Sequence, residues 1–122
     1  MSDPAHVLIV EDNELVASAL CILFENAGRR ASTAATIAQA LTVAKRDRAR
    51  LVLLDLTLPD GDGLALVTPL LAAGCGAVVA LTGRDEPATR ARCLEAGCAD
   101  VLVKPVPARE LIARCAAWLD DA

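Results

Sequence analysis

Short apolar runs recur along the chain, and the segments between them carry apolar residues at helical spacing. HVLIV (6–10), LVLLD (51–55), AVVAL (77–81) and DVLV (100–103) are too short for helices and predict strands buried on both faces. RRASTA (29–34) predicts a weaker edge strand. Leu15, Val16, Ala19, Leu20 and Leu23 line one face of a first helix that stops at Gly28. Thr36 and Gln39 have capping-box spacing and open a second helix with Ile37, Ala40, Leu41 and Ala44 on one face. A third helix is expected over Leu64–Ala73, kinked at Pro69 and ended by Gly74. A fourth is expected over Pro87–Ala96, closed by Gly97, and a fifth starts near Pro107, in its first turn, and buries Leu111, Ile112, Cys115 and Leu119.

Strands alternating with helices predict a doubly wound α/β domain: a five-stranded parallel sheet with five helices, in one domain spanning 1–122 with an ordered core over about 5–120. Composition agrees. Hydrophobic residues make up 55% of the chain and aromatics only 2%, so the core must be aliphatic, as strands covered on both faces require. The net charge of −4 argues against direct nucleic-acid binding. The uncharged stretch Gly63–Gly83 approaches the length of a membrane span, but AGCGA (73–77) and Pro69 interrupt it, so no membrane insertion is expected. Five cysteines with no CxxC pair, and no signal segment in the first residues, fit free thiols in a reducing cytoplasm.

Ligand sites in such sheets lie at the carboxyl ends of the strands. The first strand exits into Glu11 and Asp12, the third ends in Asp55, the fourth runs into Thr82 and Gly83, and the fifth into Lys104 and Pro105. Two carboxylates about 4 Å apart repel by roughly 4 kcal/mol at an effective dielectric near 20. Three of them therefore call for a cation, and an all-oxygen donor set suits Mg²⁺. A lysine and a threonine beside it suit phosphoryl oxygens. Together these groups describe phosphoryl transfer onto Asp55.

The pieces VLIVEDNE (7–14), LVLLDLTLPDGDGL (51–64), ALTGR (80–84) and EAGCADVLVKPV (95–106) make the chain resemble, over nearly its whole length, the receiver domain of two-component response regulators. The resemblance implies a flavodoxin-like sheet of strand order 2-1-3-4-5. It makes Asp55 the acceptor of a phosphoryl group from a histidine kinase or a histidine phosphotransfer domain. Mg²⁺ (or Mn²⁺) would be held by Glu11, Asp12, Asp55 and the Thr57 carbonyl. Thr82, Gly83 and Lys104 would bind the phosphoryl group and carry the switch. Pro59 and Gly63 would shape the loop after the acceptor, and Pro105 would follow the lysine through a cis peptide bond. The implied protein is a cytoplasmic switch that changes its binding to a downstream protein, with only self-directed phosphotransfer and dephosphorylation, rather than an enzyme. Both a single-domain regulator and a receiver cut from a hybrid kinase fit.

Other readings remain in view. A pseudo-receiver would share the fold without being phosphorylated. A phosphatase of the haloacid dehalogenase type also forms an aspartyl phosphate, but its nucleophile follows its first strand, and Asp55 follows the third. The first turn, EDNE, lacks the glycines of a dinucleotide site. DGDG (60–63) hints at a calcium loop, but Leu64 and Leu71 fall where ligands would be needed. Glu11 and Asp12 could instead cap the first helix, and Thr82 could bond its own loop. Arg84, Arg90, Arg92, Arg109 and Arg114 form either a solvated basic face or a docking surface. The receiver pattern is departed from at Val101, where an aromatic residue is usual, so the output is expected to rely on the TGRDEP loop (82–87). Thr57 and Arg84 flank the pocket mouth and are expected to control water access.

Overall fold

The computed structural model describes residues 6–120. Strands β1 (His6–Val10), β2 (Arg30–Ala34), β3 (Leu51–Asp55), β4 (Ala77–Thr82) and β5 (Asp100–Val103) form one parallel sheet of order 2-1-3-4-5. Helices α1 (Glu14–Asn26), α2 (Ile37–Arg46), α3 (Val67–Ala72), α4 (Pro87–Ala96) and α5 (Ala108–Leu119) connect and follow them.

The continuous apolar runs are explained by the two covered faces of the sheet. Alternate residues point to opposite sides. Val7, Ile9, Leu51, Leu53, Val79 and Leu81 pack with Phe24 of α1 and with Leu111, Cys115 and Leu119 of α5. Leu8, Val10, Val52, Leu54, Val78 and Ala80 pack with Ala40 and Ala44 of α2, Val67 and Leu70 of α3 and Cys93 of α4. The edge strand β2 is only partly buried, as its polar residues predict.

Helix ends follow local chemistry. Asn13 caps α1 by accepting from the Leu15 and Val16 N–H groups. The Thr36 hydroxyl accepts from the Gln39 N–H, while the Gln39 side chain reaches back to the Ala35 N–H, one residue earlier than in the usual box. Gly97 ends α4 at φ +112°, with the Gly97 and Cys98 N–H groups returning to the carbonyls of Leu94 and Cys93. Pro107 sits at the cap of α5 rather than within its first turn.

The third helical segment departs from expectation. Instead of one kinked helix there is a 3₁₀ turn (Gly63–Leu66) followed by α3, with Pro69 as the third residue of α3. A proline cannot donate to the carbonyl four residues back, so the α ladder cannot run through it. Placed in the first turn it costs nothing, because those N–H groups have no intrahelical acceptor. The uncharged stretch 63–83 is thus a turn, a short helix and a buried strand, and among the described residues no helix is long and apolar enough to cross a membrane. All five cysteines are free thiols.

Candidate functional site

The carboxyl ends of β1, β3, β4 and β5 converge. Glu11, one residue past β1, is held by its N–H on the Ala34 carbonyl (2.9 Å) and is buried, while Asp12 is exposed. With Asn13 acting as the α1 cap, neither carboxylate is needed there. One carboxylate oxygen from each of Glu11, Asp12 and Asp55 lies within 4.8 Å of the others. Lys104 answers part of this charge: its Nζ lies 3.1 Å from Asp55 Oδ2 and 3.7 Å from Glu11 Oε1. The other Asp55 oxygen, Oδ1, accepts from the Thr57 N–H at 3.0 Å.

Three carboxylates against one ammonium leave an excess of negative charge. Burial, then hydrogen bonding and repulsion with Asp55, raise the pKa of Glu11 to about 7. Burial alone would raise Asp55 as well. Hydrogen bonds from Glu11, the Thr57 N–H and Lys104 outweigh it and hold Asp55 below the ordinary carboxylate range. Without a metal, a proton on this pair therefore sits on Glu11 rather than on Asp55, and Glu11 gives it up as pH rises through about 7. The cluster is all-oxygen and partly solvated, the donor chemistry a hard divalent cation requires.

Thr82 is buried at the end of β4, and its hydroxyl accepts from the Arg84 N–H (3.1 Å), so here it does bond its own loop. The Thr82 carbonyl receives the Lys104 N–H at 2.7 Å, tying the two strand ends together. The Lys104–Pro105 bond is cis. Gly83 is exposed and a Cβ there would meet nothing within 4 Å. Gly63 is the opposite: a Cβ would stand 2.6 Å from the Asp55 carbonyl oxygen, so only glycine lets the chain pass behind the carboxylate's strand end. Pro59 lies exposed between two-residue strands, Thr57–Leu58 and Gly61–Asp62, which pair as a small hairpin. Val101 is buried on the α2–α4 side of the sheet, with the Arg90 guanidinium on its carbonyl (3.3 Å).

A cavity of about 750 Å³ opens from Asp55 and Thr82 between the hairpin and the start of α4, with Asp62, Arg84 and Arg92 among its walls. The DGDG carboxylates have structural work. Asp60 accepts from the Ile37 N–H at the start of α2 (2.9 Å), and Asp62 caps the 3₁₀ turn through the Leu64 N–H (3.0 Å). Asp62 also pairs with Arg92 at 3.2 Å. The Thr57 N–H, Asp60 and Arg92 were not singled out by the sequence for this site. Asp62 had a local signal, an acidic residue before an apolar run, whereas Asp60 caps a helix 23 residues away. The arginines of the last third are largely engaged within the chain: Arg90 and Arg92 as described, Arg114 with Asp100, and Arg84 with Glu86 at 3.9 Å.

The family model for the response regulator receiver domain matches residues 7–116. The chain belongs to the receiver family of response regulators. The KDP operon transcriptional regulatory protein KdpE of Escherichia coli K12 is 37% identical over 109 residues, covering 89% of this chain and 48% of that protein. The sensory transduction protein RegX3 of Mycolicibacterium smegmatis is 40% identical over 113 residues, covering 93% and 50%. The chain thus spans about half the length of the curated relatives it matches. Among solved structures, the receiver domain of the sensor histidine kinase PA1611 from Pseudomonas aeruginosa PAO1, which has a magnesium ion in its active-site cleft, aligns with TM-score 0.83 at 30% identity, covering 95% of this chain and 98% of that one. The BeF3-activated N-terminal receiver domain of Klebsiella pneumoniae RstA aligns with TM-score 0.87 at 28% identity, covering 95% and 99%. Receiver domains are signalling switches rather than enzymes acting on a separate metabolite, and the acidic cluster of this receiver is a candidate divalent-cation site.

Proposed function

We propose that Asp55 is the phosphoacceptor of this receiver, taking a phosphoryl group from the phosphohistidine of a histidine kinase or histidine phosphotransfer domain. The observation that carries this is the Asp55 carboxylate itself. It is held ionised at a buried strand end, with Lys104 on one oxygen, the Thr57 N–H on the other, and the carboxylates of Glu11 and Asp12 beside it. The donor set of Glu11, Asp12, Asp55 and the Thr57 carbonyl fits Mg²⁺, or Mn²⁺ in its place. When bound, the ion supplies charge neutralisation between acceptor and donor oxygens.

The chain's own groups do the rest. The Thr57 N–H fixes the orientation of the Asp55 carboxylate. Lys104 lies beside the acceptor oxygen and meets the negative charge of an incoming phosphoryl group. The Thr82 hydroxyl leaves the Arg84 N–H for a phosphoryl oxygen, and the open space at Gly83 lets the loop follow. Gly63 and Pro59 hold the hairpin against the acceptor, and Pro105 sets the approach of Lys104. Phosphorylation then shifts an existing equilibrium by its differential contacts in the two states and changes affinity for a downstream protein. Self-dephosphorylation, with water access limited by Thr57 and Arg84, resets it. We place this switch in the reducing cytoplasm, within a single folded unit of about residues 5–120.

Intact mass after incubation with acetyl phosphate and Mg²⁺ tests the proposal. One labile phosphoryl group is expected on the wild type and none on Asp55→Asn or in EDTA. If a phosphohistidine donor also leaves the wild-type mass unchanged, the pseudo-receiver reading replaces this one.

A further inference from the structure

Helix α4 forms one wall of the cavity and is lightly anchored. Cys93 is its one buried residue, and Glu86 at its N-terminus makes no side-chain capping bond. Two arginines tie it in different directions. The Arg90 guanidinium donates to the Val101 carbonyl of β5, and the Arg92 guanidinium crosses the cavity to Asp62 of the hairpin at 3.2 Å. Asp62 meets Arg92 with Oδ2 while its Oδ1 caps the 3₁₀ turn. The next residue, Gly63, is packed against the backbone of Asp55. The ion pair is therefore joined to the acceptor by a short, tightly seated run of chain.

We propose that the Asp62–Arg92 pair is a latch across the cavity mouth, with Arg92 as a positioning residue that holds α4 toward the hairpin and lengthens the life of the phosphoryl group on Asp55. This rests on the phosphoacceptor role of Asp55. The reset reaction is hydrolysis: water adds to phosphorus, the bond from phosphorus to the Asp55 oxygen breaks, the ionised carboxylate is regenerated, and inorganic phosphate leaves with the water oxygen and both its protons, one of which it can release to solvent. Closing the mouth slows the entry of that water. Both side chains are more than half exposed, so the pair shifts the balance of closed and open α4 by only about two- to fivefold. A tie of that size can be released by a ligand with modest preference for one state.

The test measures first-order loss of the phosphoryl group by intact mass in wild type, Arg92→Gln, Asp62→Asn, the double variant and Arg92→Lys. Asparagine keeps an oxygen for the Leu64 N–H, so Asp62→Asn removes the ion pair and spares the cap. Each neutral single variant is expected to shorten the lifetime about two- to fivefold, the double variant no further, and Arg92→Lys to keep most of the wild-type value. In about 1 M salt, where the screening length is ~3 Å, the wild-type lifetime should fall toward that of the double variant. Lifetimes equal to wild type, additive shortening, or Arg92→Lys as short-lived as Arg92→Gln would each overturn the latch. If wild type takes up no phosphoryl group, the phosphoacceptor reading fails. Hydrogen exchange over 87–96 in the unmodified protein then decides the tie itself: faster exchange in the neutral variants shows that the pair holds α4, and unchanged exchange overturns it.

Discussion

Gly63 and Gly83 lie close to Asp55, and their surroundings predict opposite responses to the same substitution. In Gly63→Ala the new Cβ stands 2.6 Å from the Asp55 carbonyl oxygen and 3.0 Å from Leu56 Cα. Ordinary contact begins at 3.4 Å, so 3.4 − 2.6 = 0.8 Å must be relieved. Both obstructing atoms are backbone, so no rotamer change can relieve it. Overpacking of this kind costs about 1–3 kcal/mol, which lowers the melting temperature of a domain this size by roughly 3–15 °C. In Gly83→Ala the Cβ meets nothing within 4 Å and φ lies outside the left-handed region. Alanine there restricts the unfolded chain and adds up to about 0.4–1 kcal/mol. Thermal unfolding by circular dichroism, without metal, separates the two. The shift at Gly63 also moves Asp55 relative to the Thr57 N–H, so phosphoryl uptake from acetyl phosphate should slow in Gly63→Ala. If Gly63→Ala melts no lower than Gly83→Ala, the close approach behind Asp55 is wrong.

Two further predictions concern charge. Like charges within 4.8 Å of each other repel by at least about 0.9 kcal/mol at a dielectric of 80 and about 3.5 at 20. Asp12→Asn should therefore raise the metal-free melting temperature by a few degrees, offset in part by losing a negative charge near the α1 N-terminus, and it should abolish the rise that Mg²⁺ produces in wild type. A lower metal-free melting temperature, or an intact Mg²⁺ response, would count against the cluster. Because the Glu11 pKa is raised from 4.5 to about 7, its contribution to metal-free stability is full below about 4.5 and is lost as pH rises through 7. Mg²⁺ needs the ionised form, so its affinity should climb with pH up to about 7 and then level, with proton release on binding below that point. Calorimetric titration in buffers of different ionisation enthalpy measures both, and a flat affinity from about pH 5.5 to 8 would refute the assignment.

The strands were legible because a sheet covered on both faces leaves no polar position in its central strands, and runs such as Val7–Val10 and Leu51–Leu54 have no other use. Asp55, Thr82 and Lys104 were legible for the same reason: each interrupts such a run where the strand ends. What eluded the sequence was pairing between distant parts. The hairpin's strands have two residues each, too few for any periodicity, and Asp60 is aimed at a helix that only the fold brings near. A helix beginning at Leu64 would be kinked at Pro69, but residues 63–66 form a 3₁₀ turn. The proline instead fixes where the α-helical part starts. The partition of charge between Glu11 and Asp55 depends on which oxygens Lys104 and the Thr57 N–H reach, and that is a matter of ångströms.

The two aspartates of DGDG give the hairpin unequal moorings. Asp60 is bonded to the peptide N–H groups of Ile37 and Ala38, at 2.9 and 3.4 Å, a grip on backbone that does not depend on a mobile partner side chain. Asp62 caps its own 3₁₀ turn and otherwise meets only the guanidinium at the end of the long, flexible Arg92 side chain. A disturbance at Asp55 thus reaches a lever pivoted on α2 and free to yield toward α4. If Asp55 is the phosphoacceptor, a displacement of the hairpin passes more readily toward α4, held by one exposed ion pair, than toward α2, held through backbone N–H groups.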